Sequence, residues 1–417
     1  MKVRYACVTC GRTLDADEVV YECPYCAREP AGPEGTSGFP RGCLSVPFMP
    51  AGAYRMGDKA DVFSFLPIPV TRWQSFPAGE TPLVLPELLR QRTGFPELWL
   101  KNDTLNMSGS LKDRASLLVA EQALAHGEKR VVLASTGNAG ASMACVGAAY
   151  GLEVILFVPA AAPRAKLLQS LLYGARVVPV KGTYDDAFEL SISFTRTFGG
   201  INRNTAFNPF TVEGKKTVSL EIYNQLGFRA PEVVYVPTGD GVIFSGACKG
   251  FADLQAAGLI EKMPLMVVVQ AEGSNAIALS WKNGRETVIP ATSTIADSLS
   301  VCRPAAGAMA LGFLRRGTGR AVEVTDAEIS AAQVELSREA GLFVEPSSAA
   351  AWAGFVKDRD NLDPGARVVV LLTGTGFKDT AAAEKLVTMP APCAADLQSA
   401  ARLLAEAYGI RAEKEGT

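Results

Sequence analysis

Four short segments of this chain carry residue types that could do chemistry together. The first is Ser108-Gly109-Ser110-Leu111-Lys112-Asp113-Arg114, a lysine in a small Ser/Gly turn just after the apolar run Glu97-Leu98-Trp99-Leu100-Lys101. A lysine there is poorly placed for a solvated helix face and well placed to be covered. Burial disfavours the ammonium form and lowers its pKa. A neutral amine at the end of a strand is a candidate Schiff-base former. The second segment, Ser135-Thr136-Gly137-Asn138, follows a strand-like run and opens a helix. Backbone N–H groups at such a start favour an anion. The third, Pro237-Thr238-Gly239-Asp240-Gly241-Val242-Ile243-Phe244-Ser245-Gly246, also follows a strand. Its glycines allow amides to approach a phosphate closely, although the Asp240 carboxylate repels an anion. The fourth, Thr373-Gly374-Thr375-Gly376-Phe377-Lys378-Asp379, ends the apolar run Val368 to Leu372. Ligands of open α/β sheets bind at such strand ends.

Composition narrows the chemistry. The 417 residues include one histidine, His126, which precedes Gly127 and reads as a cation at a helix C-terminus. Ser-His-Asp hydrolysis and multi-histidine metal catalysis therefore have no raw material, and lysine is the obvious proton carrier. Near the N-terminus, Cys7-x2-Cys10-x12-Cys23-x2-Cys26 has the spacing of a zinc ribbon. It predicts four thiolates closing a structural metal site with no open position. The other five of the nine cysteines are scattered, which argues against a disulfide scaffold and for a reducing cytosol. Net charge is −2, so nothing calls for nucleic acid or an anionic membrane. The first seven residues show no apolar signal-peptide core, and the most apolar stretch, Met143 to Pro163, is broken by Gly151, Glu153 and Pro159. A cytoplasmic protein is expected.

Elements must hold these segments in place. From about Thr81 onward, near-continuous apolar runs alternate with helix-length segments. The runs include Val131–Ala134, Val154–Val158, Val177–Val180, Val233–Val236, Leu265–Val269 and Val368–Leu372, and the helical segments include Asn138 to Tyr150. That alternation predicts an α/β fold with parallel sheets covered by helices on both faces. Residues 27 to about 52 are rich in Gly and Pro and read as a linker or an arm over the surface, with Cys43 incidental. Residues 393–417 read as an amphipathic helix with a charged end.

Together, the lysine turn, the Ser-Thr-Gly-Asn turn and the Thr-Gly-x-Gly-x-Lys-Asp segment resemble the pyridoxal-phosphate enzymes of the tryptophan-synthase-β family, fold type II. The last segment is most similar to the threonine synthases. The resemblance runs from about Thr81 to Asp379. It implies two domains, a large one over 43–124 and 225–392 and a small one over 125–224. A zinc-ribbon-like segment and linker over 1–42 precede them, and the tail over 393–417 follows. It implies that Lys112 carries pyridoxal 5'-phosphate as a Schiff base and later shuttles protons. Asn138, Gly239, Asp240, Gly241, Val242, Ile243 and Thr373 then hold the cofactor, with Asn138 near the pyridine 3-oxygen and Thr373 facing the ring nitrogen. Ser135, Thr136, Gly137 and Thr81 bind substrate. Cys7, Cys10, Cys23 and Cys26 take the zinc, as in some threonine-synthase-like proteins.

Three positions depart from the threonine synthases. Ala139 stands where they place a threonine, Thr211 where an arginine helps to hold the substrate phosphate, and Asp240 where an asparagine is usual. Lys215 and Lys216 are the replacement cations the sequence offers. The expected activity is conversion of O-phospho-L-homoserine and water to L-threonine and phosphate. β-Elimination or β-replacement on another hydroxy or activated amino acid stays open, as does a non-catalytic binder, against which the intact Lys112 argues. The expected partners are an amino-acid substrate and a second copy of the chain.

Overall fold

A computed structural model describes residues 2–17, 20–26, 38–49, 52–317 and 319–411. Strands β1 (Val3–Cys7), β2 (Thr13–Ala16) and β3 (Leu44–Ser45) form a small antiparallel sheet in the order β2-β1-β3. Its third strand lies beyond residue 42. Phe39, Cys43, Leu44 and Val46 are buried, so the described part of the expected surface arm is packed, drawn in by its apolar side chains. Residues 27–37 and 50–51 of that segment lie outside the described residues.

Strands β4 (Leu83–Val84) and β5 (Leu98–Asn102) are followed by β6 (Arg130–Ala134), β7 (Glu153–Pro159), β8 (Arg176–Val180) and β9 (Ile201–Asn202). Then come β10 (Val233–Pro237), β11 (Leu265–Ala271), β12 (Arg320–Val324) and β13 (Val368–Leu372). A four-stranded parallel sheet has the order β8-β7-β6-β9. A six-stranded sheet has the order β12-β11-β10-β13-β5-β4 and is parallel except for β4. The expected α/β fold with parallel sheets and an N-terminal ribbon-like segment is what the chain adopts.

The helices that matter for the site are α1 (Lys112–Ala125), α2 (Asn138–Tyr150), α3 (Phe210–Gln225), α4 (Val242–Ala256) and α5 (Pro346–Asp358). The period-2 alternation of strands explains how they pack. Val368, Val370 and Leu372 of β13 share a core with Trp352 and Phe355 of α5. Val369 and Leu371 point the other way, into a core with Phe244 and Phe251 of α4. Both faces of the large sheet are covered, so its strands read as continuous apolar runs. α1 and α3 are buried almost all round, with Asp113 to Ala123 and Phe210 to Tyr223 inside.

The chain divides into two compact units at Lys378 and Asp379. In the second, Asp379 and Asp396 cap two helices, Thr380–Glu384 and Leu397–Tyr408; the charged end at 412–417 lies outside the described residues. Among the described residues, no helix is long and apolar enough to cross a membrane.

Candidate active site

Lys112 opens α1, and the turn before it is pinned from two sides. The Asp113 carboxylate accepts from Ser108 N–H at 2.7 Å and from Ser108 Oγ. Gly109 has φ +85°, and a Cβ there would lie 2.9 Å from Thr375 Cγ2, so glycine is required. Leu111 N–H donates to Thr373 O at 2.8 Å and Thr375 N–H to Gly109 O at 3.0 Å. The first and fourth segments of the sequence are thus bonded to each other. Lys112 is half-buried, and among the described residues nothing hydrogen-bonds or ion-pairs with its Nζ. Burial pushes its ammonium below the ordinary range; Asp240 and Glu345 pull the other way, and Arg203 adds to the depression.

The second segment caps α2. Ser135 Oγ accepts from Gly137 N–H at 3.3 Å and Gly140 N–H at 3.1 Å. Its hydroxyl is therefore a helix cap. Among the described residues, nothing accepts from the N–H groups of Thr136, Asn138 or Ala139, and these can take an anion. Asn138 Nδ2 donates to both carboxylate oxygens of Glu345 at 3.0 Å. Thr373 is fixed through Ser348 of α5, whose Oγ accepts from Thr373 N–H at 2.8 Å and Gly374 N–H at 2.6 Å. The two hydroxyls lie 3.2 Å apart. Glu345 and Ser348 thus tie the second and fourth segments to one helix start, and the sequence reading missed both. Pro346 at the first helical position was the available signal.

The third segment forms the N-terminus of α4. Gly241 has φ +89°, and a Cβ there would lie 3.0 Å from Ala306 O; one at Gly239 would lie 3.0 Å from Leu299 Cα. These glycines admit neighbouring backbone, not a phosphate alone. Asp240 Oδ1 accepts from Val242 N–H at 3.0 Å, so that amide is engaged. Among the described residues, the amides of Ile243 and Phe244 have no acceptor. Ser245 Oγ is buried without a partner. An amine, two helix starts with open amides and an orphaned hydroxyl fit a cofactor that has both an aldehyde and a phosphate.

Two expectations are corrected. Thr81 does not face this site. Its hydroxyl donates to Asp103 Oδ1 at 2.6 Å and accepts from Arg114 Nη2 at 3.2 Å, inside a buried ion network. There Arg114 Nε lies 2.6 Å from Asp103 Oδ2, and Glu221 Oε2 takes Arg114 Nη2 and Lys101 Nζ, each at 2.8 Å. Lys216 is no free cation either, for its Nζ lies 2.6 Å from Glu213 Oε2 and 2.8 Å from Asp253 Oδ2. A cavity of about 510 Å³ borders the Arg114 network, lined by Trp73, Leu117 and Glu221 among others. None of Lys112, Asn138 or Thr373 lines it, and its Arg114 and Glu221 are paired with each other, so this cavity is not part of the candidate site.

At the N-terminus, the sulfurs of Cys7, Cys10, Cys23 and Cys26 all lie within 4.8 Å of one another. Cys7–Cys26 and Cys10–Cys23 are 3.8 Å apart. A tetrahedron with Zn–S bonds of about 2.3 Å has edges of about 3.8 Å, so the donor set fits that metal.

Fold and site together define an α/β protein with a buried-amine lysine and helix starts that carry open amides at strand ends. The chain belongs to the pyridoxal-phosphate dependent enzyme family, which matches residues 75–374, and within it to the threonine synthase-like members. Threonine synthase from Methanocaldococcus jannaschii is 32% identical over 419 residues, spanning 96% of this chain and 99% of that protein. Threonine synthase from Mycobacterium tuberculosis is 35% identical over 321 residues, 76% of this chain and 87% of that one. Among solved structures, a processed threonine deaminase isoform from Solanum lycopersicum matches with TM-score 0.65 and 22% identity, over 82% of this chain and 92% of that one. At that identity the likeness is one of fold alone.

Proposed function

We propose that this chain is a carbon–oxygen lyase that converts O-phospho-L-homoserine and water to L-threonine and phosphate. The observation that supports this most is the desolvated Lys112 amine, free of partners and bonded through its own turn to the Thr373 strand end. It sits in a chain whose relatives, over nearly its whole length, are named threonine synthase. Lys112 would carry the cofactor, with Asn138, the turn from Gly239 to Ser245 and Thr373 around it. When bound, pyridoxal phosphate supplies the electron sink that makes the substrate α-proton acidic.

The chain's own residues do the rest. Open amides of Thr136, Asn138 and Ala139 hold the substrate carboxylate. Burial raises the free-base fraction of Lys112, which takes the α-proton and returns it. Loss of a β-proton expels the γ-phosphate, water adds at the β-carbon, and protons return to the α- and γ-carbons. Thr373 offers a neutral hydroxyl, which cannot hold a ring nitrogen protonated as an aspartate would. That favours elimination and replacement over transamination.

A second reading, β-elimination on an unphosphorylated hydroxy amino acid, is favoured by one observation. Thr211 lacks the expected guanidinium, and its hydroxyl is taken by backbone, donating to Asn208 O at 2.7 Å. A panel of O-phosphohomoserine, O-phosphoserine, serine and threonine, with product analysis, separates the two. Threonine from the first supports our proposal; a keto acid from serine or threonine alone supports the second.

The four-cysteine cluster would hold one structural zinc. Chelation should then lower the melting temperature and leave kcat unchanged, whereas a zinc-free preparation of normal stability contradicts the assignment.

A further inference from the structure

The proposed reaction needs a cation for the γ-phosphate, and neither Thr211 nor Lys216 supplies it. Lys215 is different. It lies four residues after Thr211 in α3, so it shares that helix face. Helical side chains lean back toward the N-terminus, which aims the Lys215 ammonium toward the level of Thr211. Its stem passes Gly246 of α4, where a Cβ would come within 2.8 Å of the Lys215 Cβ. Lys215 is 1% exposed, and no group bonds its Nζ.

A second buried cation, Arg203, stands just after β9, and its charge is felt by Lys215. Arg203 is 0% exposed. Its Nε donates to Ser116 Oγ at 3.3 Å and its Nη1 to Thr205 Oγ1 at 2.9 Å, while Nη2 has no partner. Burial lowers both groups' pKa values, and each feels the Asp240 charge; Lys215 also feels Lys112 and Arg203. Both cations therefore lie within electrostatic reach of Lys112. The Asp240 charge reaches both, and its Oδ1 is turned to Val242 N–H; Asp113 acts on Arg203 as well, but its carboxylate is held by Ser108. Buried cations without an anion of their own are costly, and an incoming dianion would satisfy both.

We infer that Lys215 Nζ and Arg203 Nη2 form a subsite for a phosphate dianion, the γ-phosphate of an O-phosphorylated hydroxy amino acid, in place of the arginine that Thr211 lacks. The inference rests on the reaction proposed above. The cofactor's own phosphate is another source of the same dianion, but the α4 start already offers it amides and Ser245 Oγ.

The test uses wild-type, Lys215→Gln and Arg203→Gln holoenzymes, titrated calorimetrically with inorganic phosphate and assayed with O-phospho-L-homoserine. Cofactor absorbance is followed in parallel. Each variant should keep the cofactor spectrum, lose roughly 10- to 100-fold in phosphate affinity and rise similarly in KM, with kcat changing less. Lys215→Met, which keeps the chain length and removes the buried charge, should repeat the Lys215→Gln result if that variant folds poorly. Loss of the cofactor spectrum with phosphate affinity intact would assign the cations to the cofactor and overturn the inference. So would phosphate affinity and KM unchanged in all variants. If phosphate binding depends on these residues but no threonine forms, the subsite stands and the proposed reaction falls.

Discussion

Two groups of buried charge contact helix α1, and they are built in opposite ways. In one, Arg114 and Lys101 meet Asp103 and Glu221, two cations against two carboxylates, with bonds of 2.5 to 2.8 Å. In the other, Arg203 and Lys215 keep donors that bond nothing, and neither cation has an ion pair among the described residues; the Asp240 charge reaches both and that of Asp113 reaches Arg203. Residue types and burial are alike; what differs is whether the charges satisfy one another. The closed group ties α1 to α3 and β5. The open group lies within electrostatic reach of Lys112, where a ligand can complete it. Buried charge alone therefore marks neither stability nor function, and the unsatisfied donors are what separate the two.

The largest expected effect is on the open side. Lys112→Ala should lower turnover by roughly 1,000-fold or more, since it removes both the covalent anchor and the proton carrier. The closed group should respond in stability instead. Arg114→Met leaves Asp103 and Glu221 buried without their main partner and should cost roughly 3–5 kcal/mol in urea unfolding. Lys215→Met, in the open group, removes a costly unpaired charge and should leave stability unchanged or raise it by up to roughly 1–4 kcal/mol. Equal losses in both variants would erase the distinction between the groups.

A pH series sharpens the same contrast. Burial alone would raise the Glu221 carboxyl, but Arg114 and Lys101 hold it down to about 2 from 4.5. Because the folded pKa is depressed, this stabilisation is present above the unfolded pKa and is lost as pH falls through the folded one. It amounts to about 3 kcal/mol. Unfolding free energy should therefore fall between pH 4.5 and 2, and less steeply in Arg114→Met. The same slope in both proteins would show that the ion network does not carry the effect.

Much of this was legible in the sequence. Strands covered on both faces, such as Val368–Leu372, read as apolar runs because every side chain is buried. Lys112, Asn138 and Thr373 stood out because each sits at an element boundary with small residues around it. Edge strand β12 was missed because it is only half-buried, and β9 because two residues show no period. Arg203 was missed for a related reason. It lies in the irregular stretch between β9 and α3, where its fate depends on contacts from Ser116 and Thr205 that no local pattern announces. The same holds for Lys215 and Lys216. Adjacent in sequence and equally buried, they are told apart only by Glu213 and Asp253, which reach one and not the other.

The central claim is that Lys112 is the amine around which the site is built. Lys215 and Lys378 are rivals, because burial lowers the pKa of each as it does for Lys112. Borohydride reduction of the holoenzyme, followed by peptide mapping, decides among them. The account predicts the pyridoxyl label on the peptide containing Lys112 and on no other. Label on Lys215, Lys378 or any other lysine would contradict it.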